Sequence, residues 1–135
     1  MKKIIMCCVV GLLSGCAFLT DSFFLAKFDP IEYRSIVDIR ALARNSILQC
    51  DDGITSKTNA RYIVNEIDFL ILYDEPFAHN TDVQKSLVEL HNIAAGLHQQ
   101  YSKEDNVSVA FCKLKFSTID VDAGIIQKVI GSKPK

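Results

Sequence analysis

Three histidines and a few acidic clusters are the side chains of this 135-residue chain whose types first suggest chemistry. His91 and His98 are seven residues apart, so on a helix that rises 1.5 Å per residue they lie about 10 Å apart along the axis. That separation is too large for the two imidazoles to bind one metal ion by themselves. We interpret them as histidines at the boundary of a buried helix face.

Asp120-x-Asp122-x-Gly124 has the opening spacing of a calcium-binding loop. It lacks the further oxygen ligands and the terminal Glu of such loops, so we expect helix surface there. The pairs Asp51-Asp52 and Asp74-Glu75 are expected at helix ends. The chain contains no G-x-S-x-G, no H-E-x-x-H and no glycine-rich phosphate loop. We therefore expect a protein that is not an enzyme and that uses no metal and no cofactor.

The composition is that of one ordinary globular domain. Hydrophobic residues make up 49% of the chain and charged residues 23%, which excludes a disordered chain. Fifteen basic residues against sixteen acidic ones give a net charge of −1. Without a basic footprint, nucleic acid is not an expected partner.

The N-terminal sequence is that of an export signal. Met1-Lys2-Lys3 is a short basic region, and residues 4–13 are a ten-residue apolar run. Leu13-Ser14-Gly15-Cys16 then resembles the lipobox of bacterial lipoproteins. The resemblance implies that residues 1–15 are a signal peptide and that Cys16 becomes the first mature residue, carrying a diacylglyceryl group and an acylated amino terminus. The alternative is an uncleaved membrane helix over residues 4–19, which is short for a full span.

The lipobox resemblance places the protein in the bacterial cell envelope. Ala17, rather than Asp, follows the cysteine and favours an outer-membrane anchor facing the periplasm. Removal of residues 1–15 leaves 120 residues, and the loss of Lys2 and Lys3 takes the net charge from −1 to −3. We divide the mature chain into a lipidated Cys and Phe-rich tether over 16–28, a helical domain over 29–131 and a tail over 132–135. The tether's four phenylalanines either lie in the membrane interface or dock on the domain; they are Phe18, Phe23, Phe24 and Phe28.

The same resemblance leaves two cysteines for an oxidising compartment. Cys50 and Cys112 would close a loop of 62 residues as a disulfide. Buried free thiols are the first alternative to this disulfide. The second is a metal-bound pair, although a pair without a C-x-x-C spacing is a poor metal site.

Two helices are predicted in the first half of the domain. Asp29-Pro30 begins the first, with Glu32 in the position of a capping box, and Asp51-Asp52-Gly53 ends it. Its apolar stripe is Ile36, Ile39, Ala43, Ile47 and Cys50. The second begins near residues 55–58 and stops before Pro76. Its main stripe is Ala60, Ile63, Val64, Ile67, Leu70 and Ile71. Tyr62, Phe69 and Tyr73 make its opposite side apolar too, so it is either sandwiched in the core, which base rates favour, or offers that side to a partner.

Two more helices follow. Thr81-x-x-Gln84 has the sequence pattern of a capping box and is predicted to begin the third helix. Its heptad-spaced stripe is Val83, Leu87, Leu90, Ala94, Leu97 and Tyr101. The last segment, 107–131, begins with an alternation that a strand would also show, but a helical stripe covers more of it. That stripe is Val107, Phe111, Leu114, Thr118, Val121, Ile125 and Val129, and Cys112, Ile119 and Ile126 make a second.

The predicted fold is all-α: a four-helix antiparallel bundle or array stapled by one disulfide. In an up-down bundle the end of the first helix and the start of the fourth lie at the same end. Cys50 and Cys112 occupy those two places, so the bundle and the disulfide support each other.

Two classes of function are consistent with the sequence. A short lipoprotein with a four-helix, one-disulfide domain resembles the pilotins of secretion systems, which implies a non-catalytic protein-interaction or assembly accessory. A phage- or plasmid-encoded exclusion lipoprotein would share these features. The partner-binding candidates are Tyr62, Phe69 and Tyr73. The alternative is a helical bundle that binds a small hydrophobic ligand or a lipid in an internal cavity.

Overall fold

A computed structural model describes residues 26–103 and 107–135. The predicted signal peptide, Cys16 and the first part of the predicted tether lie outside the described residues. The described residues form four helices: α1 (Pro30–Ile47), α2 (Gly53–Asp74), α3 (Thr81–Lys103) and α4 (Val109–Gly131). Each helix packs mainly on its two neighbours around a closed ring, α1 on α2 and α4, and α3 on α2 and α4. The predicted four-helix bundle is confirmed.

Side-chain caps fix where three of the helices begin. Asp29 accepts from the amides of Ile31 (2.8 Å) and Glu32 (2.9 Å), and Pro30 takes the first helical position. Asp52 accepts from the amides of Ile54 (3.0 Å) and Thr55 (3.1 Å). The sequence prediction that α2 begins near residues 55–58 was therefore wrong by about one turn, because Asp52 caps α2 in addition to following α1. Ser108 caps α4 in the same way, so that helix begins at Val109.

The core is built from the predicted stripes of α1, α2 and α3. All six heptad positions of α3 are buried, and α1 and α2 bury most of theirs. On α4 the shorter of the two predicted stripes faces inward, extended by Phe116, Ala123 and Ile130. The largest fully buried apolar side chains are Phe116, Ile36, Ile39, Ile63, Ile67, Leu70, Leu87, Leu90, Leu97, Ile119 and Ile130.

The predicted disulfide is present. Cys50 and Cys112 are joined at one end of the bundle with their Cα atoms 5.8 Å apart, across a sequence separation of 62. Because α1 ends at Ile47, and not at residues 51–53 as the sequence predicted, Cys50 lies in the turn that follows α1. The bridge ties this turn to the first turn of α4. The opposite end, where the chain enters α1, is called the tether end below; it comprises the first turn of α1, the last turn of α2, residues 75–80 and residues 132–135.

Candidate interaction surfaces

An exposed row of aliphatic side chains runs along the outer side of α4. Leu114, Val121, Ile125 and Val129, here named the α4 stripe, recur at seven- and four-residue steps and are between 43% and 64% exposed. They belong to the longer stripe on which the sequence prediction of a helix relied. The opposite side of α4 already supplies the core, so this row is not needed to complete the fold. An apolar row on a monomer surface is typical of an interaction site.

A groove between α3 and α4 borders the α4 stripe. A cavity of about 150 Å³ has the apolar side chains of Leu90, Ile93, Ile125 and Ile126 among its lining. A second cavity, of about 240 Å³, is lined by Val83 of α3 and Val129 of α4 and by Asn80 and Lys133 at the tether end. Carboxylates stand along both: Asp82 at the second cavity, and Glu89 and Asp122 at the first. The first cavity of this α3–α4 groove therefore combines apolar walls with negative charge, whereas the second has Lys133 in its lining as well as Asp82.

The structure brings together two of the three predicted partner-binding residues. The rings of Phe69 and Tyr73 stack with centroids 6.0 Å apart, and Tyr73 meets Phe77 edge to face at 5.3 Å. Tyr62 lies two turns earlier and interacts with Glu66, whose negative charge raises the pKa of the Tyr62 phenol. Tyr62 and Phe69 are 56% and 50% exposed. A helix sandwiched on both sides was therefore the wrong interpretation for these two residues.

Tyr73 differs from the other two candidates because it is tied to the fold. Its side chain is half buried against the core, and its hydroxyl donates to Oδ2 of Asp29 at 3.1 Å. Burial, followed by that bond to the Asp29 carboxylate, raises the pKa of Tyr73. Tyr73 thus links the last turn of α2 to the cap of α1, and its substitution would disturb both.

A buried polar cluster that the sequence analysis missed joins the elements of the tether end. Lys133 Nζ lies 2.6 Å from Glu32 Oε2, and Asn80 Nδ2 donates to Glu32 Oε1 at 2.9 Å and to Asp74 Oδ1. Gln84, predicted to close a capping box, donates instead to the carbonyls of Asp74 and Phe77. We call Glu32, Asp74, Asn80 and Lys133 the polar clasp. Because its members come from α1, α2, the α2–α3 loop and the tail, it locks this end of the bundle.

A signal for the polar clasp does exist in the sequence. Glu32 lies four residues before Ile36, and Asp74 four residues after Leu70, so both carboxylates fall on the buried stripes of their helices. A charged residue in a core register is rarely buried without a partner. The helical register therefore predicts that both acids are buried. It cannot predict their partners, because Lys133 and Asn80 lie far from Glu32 in the sequence.

Asp74 is the electrostatically strained member of the clasp. Its Oδ2 has no hydrogen-bond partner among the described residues, and its side chain is fully buried. The pKa of Asp74 is raised to about 6. Burial is the main cause, and the charge of Glu32 raises the pKa further, whereas the hydrogen bond from Asn80 lowers it.

Two members of the clasp reach a cavity at the tether end. This cavity, of about 280 Å³, is lined by Phe28, Pro76 and Phe77, together with Asn80 and Lys133. The carboxylates of Glu32 and Asp74 line neither this cavity nor the adjoining one. Both acids are instead engaged in contacts between elements of the fold.

Asp120 lies on the surface of α4, as the sequence predicts, where it holds α4 to α1. It accepts from Arg40 Nε at 2.9 Å and from Arg44 Nε at 3.1 Å. Burial alone would raise the pKa of Asp120, but the hydrogen bonds and charges of the two arginines lower it. Gly124 gives the Arg40 side chain room, because a Cβ there would lie 3.2 Å from it.

The side chain of His91 pairs with an acid of the neighbouring helix. Its Nε2 lies 3.0 Å from Oδ1 of Asp68 on α2, and the ring is half buried, as expected for a boundary histidine. Within residues 26–103 and 107–135, no group of three or more His, Cys, Asp or Glu side chains is placed to hold a metal ion. No helix in this part of the chain combines the length and hydropathy needed to cross a membrane.

The chain matches no protein-family model, no curated protein and no solved structure.

Proposed function

We propose that this protein is a lipid-anchored lipoprotein of the bacterial envelope that acts as a non-catalytic protein-interaction or assembly module. The observation that carries the proposal is the α4 stripe, an exposed aliphatic row on a helix whose opposite side already supplies the core. The lipobox at Leu13-Ser14-Gly15-Cys16 supplies the anchor, with Cys16 lipidated and the domain on the periplasmic side of the outer membrane.

The charges beside the α4 stripe indicate the chemistry of the partner. Asp82, Glu89 and Asp122 stand along the α3–α4 groove. An apolar surface with basic flanks would bury its apolar side chains against the α4 stripe and place its cations at these three acids. Such charges steer association and fix orientation more than they add affinity. Contact through an anchored helical domain is also what the resemblance to pilotins implies.

A bundle that binds a small hydrophobic ligand or a lipid is the alternative. It requires an enclosed cavity between the helices. The cavities of about 280, 240 and 150 Å³ described above open at the surface, and the core positions are filled by side chains. The described part of the chain therefore favours the interaction module.

Photo-crosslinking in envelope membranes tests the proposal with two matched variants of the full chain. Val121→Arg places a cation in the α4 stripe, and Leu48→Arg places one at an 82% exposed leucine at the disulfide end. We expect Val121→Arg to lower capture of the partner at least tenfold and Leu48→Arg to leave it unchanged, with equal helicity by circular dichroism. Equal capture by both variants, or no specific partner with the wild-type chain, would contradict the proposal.

A further inference from the structure

Exposed apolar side chains lie at both ends of the bundle: Leu48 and Ile54 at the disulfide end, and three others near the tether end. Ile31, in the first turn of α1, is 50% exposed; Phe69 and Leu72, in the last two turns of α2, are 50% and 68% exposed. Phe69 stacks on Tyr73. The α4 stripe lies on a different side of the bundle from Phe69 and Leu72, since α2 and α4 occupy opposite corners of the ring of helices. Only its last member, Val129, reaches a cavity at the tether end.

The point at which the chain enters the domain is fixed at this same end. The amide of Phe28 donates to the carbonyl of Pro134 at 2.8 Å, and the Phe28 ring lies 5.6 Å from that of Tyr33. Asp29 then caps α1 and accepts from Tyr73. The N-terminal segment therefore joins the bundle beside the exposed side chains of Ile31, Phe69 and Leu72.

The length of chain before the domain limits how far this end can lie from an anchor at Cys16. Ala26, the first described residue, is ten residues further along the chain than Cys16, with nine residues between them. Fully extended, this stretch reaches at most about 35 Å, and a flexible chain of that length has a root-mean-square span of roughly 20 Å. The 22 residues of α2 alone extend about 33 Å along the bundle. The tether end is therefore the part of the domain kept nearest to the anchor.

The exposed charges at the tether end are balanced. Lys27 and Lys135 are exposed there, and so are two acids, Glu75 in the α2–α3 loop and Asp82 in the first turn of α3. Lys133 is paired with Glu32 and so adds no free charge. Basic side chains near a membrane are attracted to anionic lipid headgroups, so Lys27, next to the first turn of α1, favours contact with them.

We propose that the tether end seats directly on the bilayer interface, with Ile31, Phe69 and Leu72 inserted at headgroup depth. The inference rests on the proposed lipid anchor at Cys16. In this arrangement the disulfide end points away from the membrane. The α4 stripe then runs up the side of the domain, where a protein partner can reach it.

Tryptophan fluorescence tests the seating, because the chain contains no Trp. Leu72→Trp and Leu48→Trp each introduce one reporter at an exposed leucine. Leu48 directly follows the 18 residues of α1, about 27 Å from the tether end. The lipidated full-length variants are reconstituted in phosphatidylethanolamine–phosphatidylglycerol vesicles, with or without acyl chains brominated near the headgroup. Mass spectrometry first establishes that each preparation is acylated.

We expect brominated lipid to lower the tryptophan fluorescence of the Leu72→Trp variant at least threefold. The fluorescence of the Leu48→Trp variant should stay within 20% of its intensity without brominated lipid. Equal quenching of both reporters, or none at Leu72→Trp in acylated protein, would overturn the seating and leave the anchor intact. Unacylated protein would overturn the anchor and the seating together. Phe69→Trp, an aromatic-for-aromatic change, repeats the measurement if Leu72→Trp does not fold. If Leu72→Trp is not quenched in vesicles, and a photo-crosslinker placed at position 72 captures a protein in envelope membranes, the tether end would be a protein-docking surface instead.

Discussion

The ammonium of Lys133 lies 2.6 Å from the carboxylate of Glu32, with both side chains removed from solvent and 101 residues apart in sequence. The pair joins the end of the chain to the first turn of α1. Residues 132–135, interpreted from the sequence as a tail, thus contribute a buried partner and, through Pro134, a backbone bond to Phe28. The tether end is closed by contacts that are distant in sequence.

Lys133→Met should destabilise the domain by about 3–5 kcal/mol, because it leaves the carboxylate of Glu32 buried without its cation. The double variant Glu32→Gln/Lys133→Met should lose clearly less, since no uncompensated charge is left. Urea unfolding at pH 7 followed by circular dichroism measures both. A loss below about 1 kcal/mol in the single variant would show that the pair does not hold the tether end closed.

Asp74→Asn should change how stability depends on pH. The folded-state pKa of Asp74 is raised from 3.8 to about 6, so the folded state binds the proton more tightly than the unfolded state does. Its contribution to stability is therefore present below about pH 4 and is lost as the pH rises through 6, by roughly 2–3 kcal/mol. Relative to wild type, Asp74→Asn should be near neutral at pH 4 and stabilising at pH 7.5. A difference between the two proteins that does not vary with pH would contradict this.

Reduction of the Cys50–Cys112 bridge should lower the free energy of unfolding by about 4 kcal/mol. The bridge closes a loop of 62 residues, and the chain-entropy model gives about this value for such a loop. Urea titrations with and without a reductant measure the effect. The Cys50→Ala/Cys112→Ala variant is the control: it should match the reduced wild-type protein and show no response to the reductant. A response of the variant equal to that of the wild type would assign the effect to something other than the bridge.

Gly96→Ala should stabilise the domain by roughly 0.5–1 kcal/mol. Gly96 lies within α3 with nothing within 4 Å of an added Cβ, so alanine removes backbone entropy from the unfolded chain without a clash. Gly124→Ala is the matched comparison on α4, where the added methyl meets Arg40 at 3.2 Å and pushes it from Asp120. Thermal unfolding of both variants should give the gain for Gly96→Ala alone. An equal gain at both positions would contradict the role assigned to Gly124.

The sequence predicted α3 best because its apolar residues form one stripe. All six positions from Val83 to Tyr101 are buried. On α4 two apolar stripes have helical spacing, so the spacing alone does not determine which one faces the core. The shorter predicted stripe became the buried one because Phe116, Ala123 and Ile130 extend it, while Leu114, Val121 and Ile125 were left outside. The sequence analysis thus identified the residues of the α4 stripe as apolar but did not predict them to be an interaction site.

The polar clasp was beyond local patterns for a different reason. Glu32 fits a capping-box spelling, and its local context offers no sign of Lys133 or Asn80 as partners. The disulfide could be predicted because few cysteines remain to choose from once Cys16 is assigned to the lipid. Of the three aromatic candidates, Phe69 and Tyr62 are on the surface, and Tyr73 is engaged with Asp29.

The intact mass of the protein extracted from membranes, before and after reduction and thiol alkylation, tests the central claim most directly. A lipid-anchored envelope module predicts a chain that starts at Cys16, carries the mass of its acyl groups, and exposes two alkylatable thiols only after reduction. An unacylated chain that starts at Met1 and has free thiols at Cys50 and Cys112 would contradict the anchor, the compartment and the proposed function together.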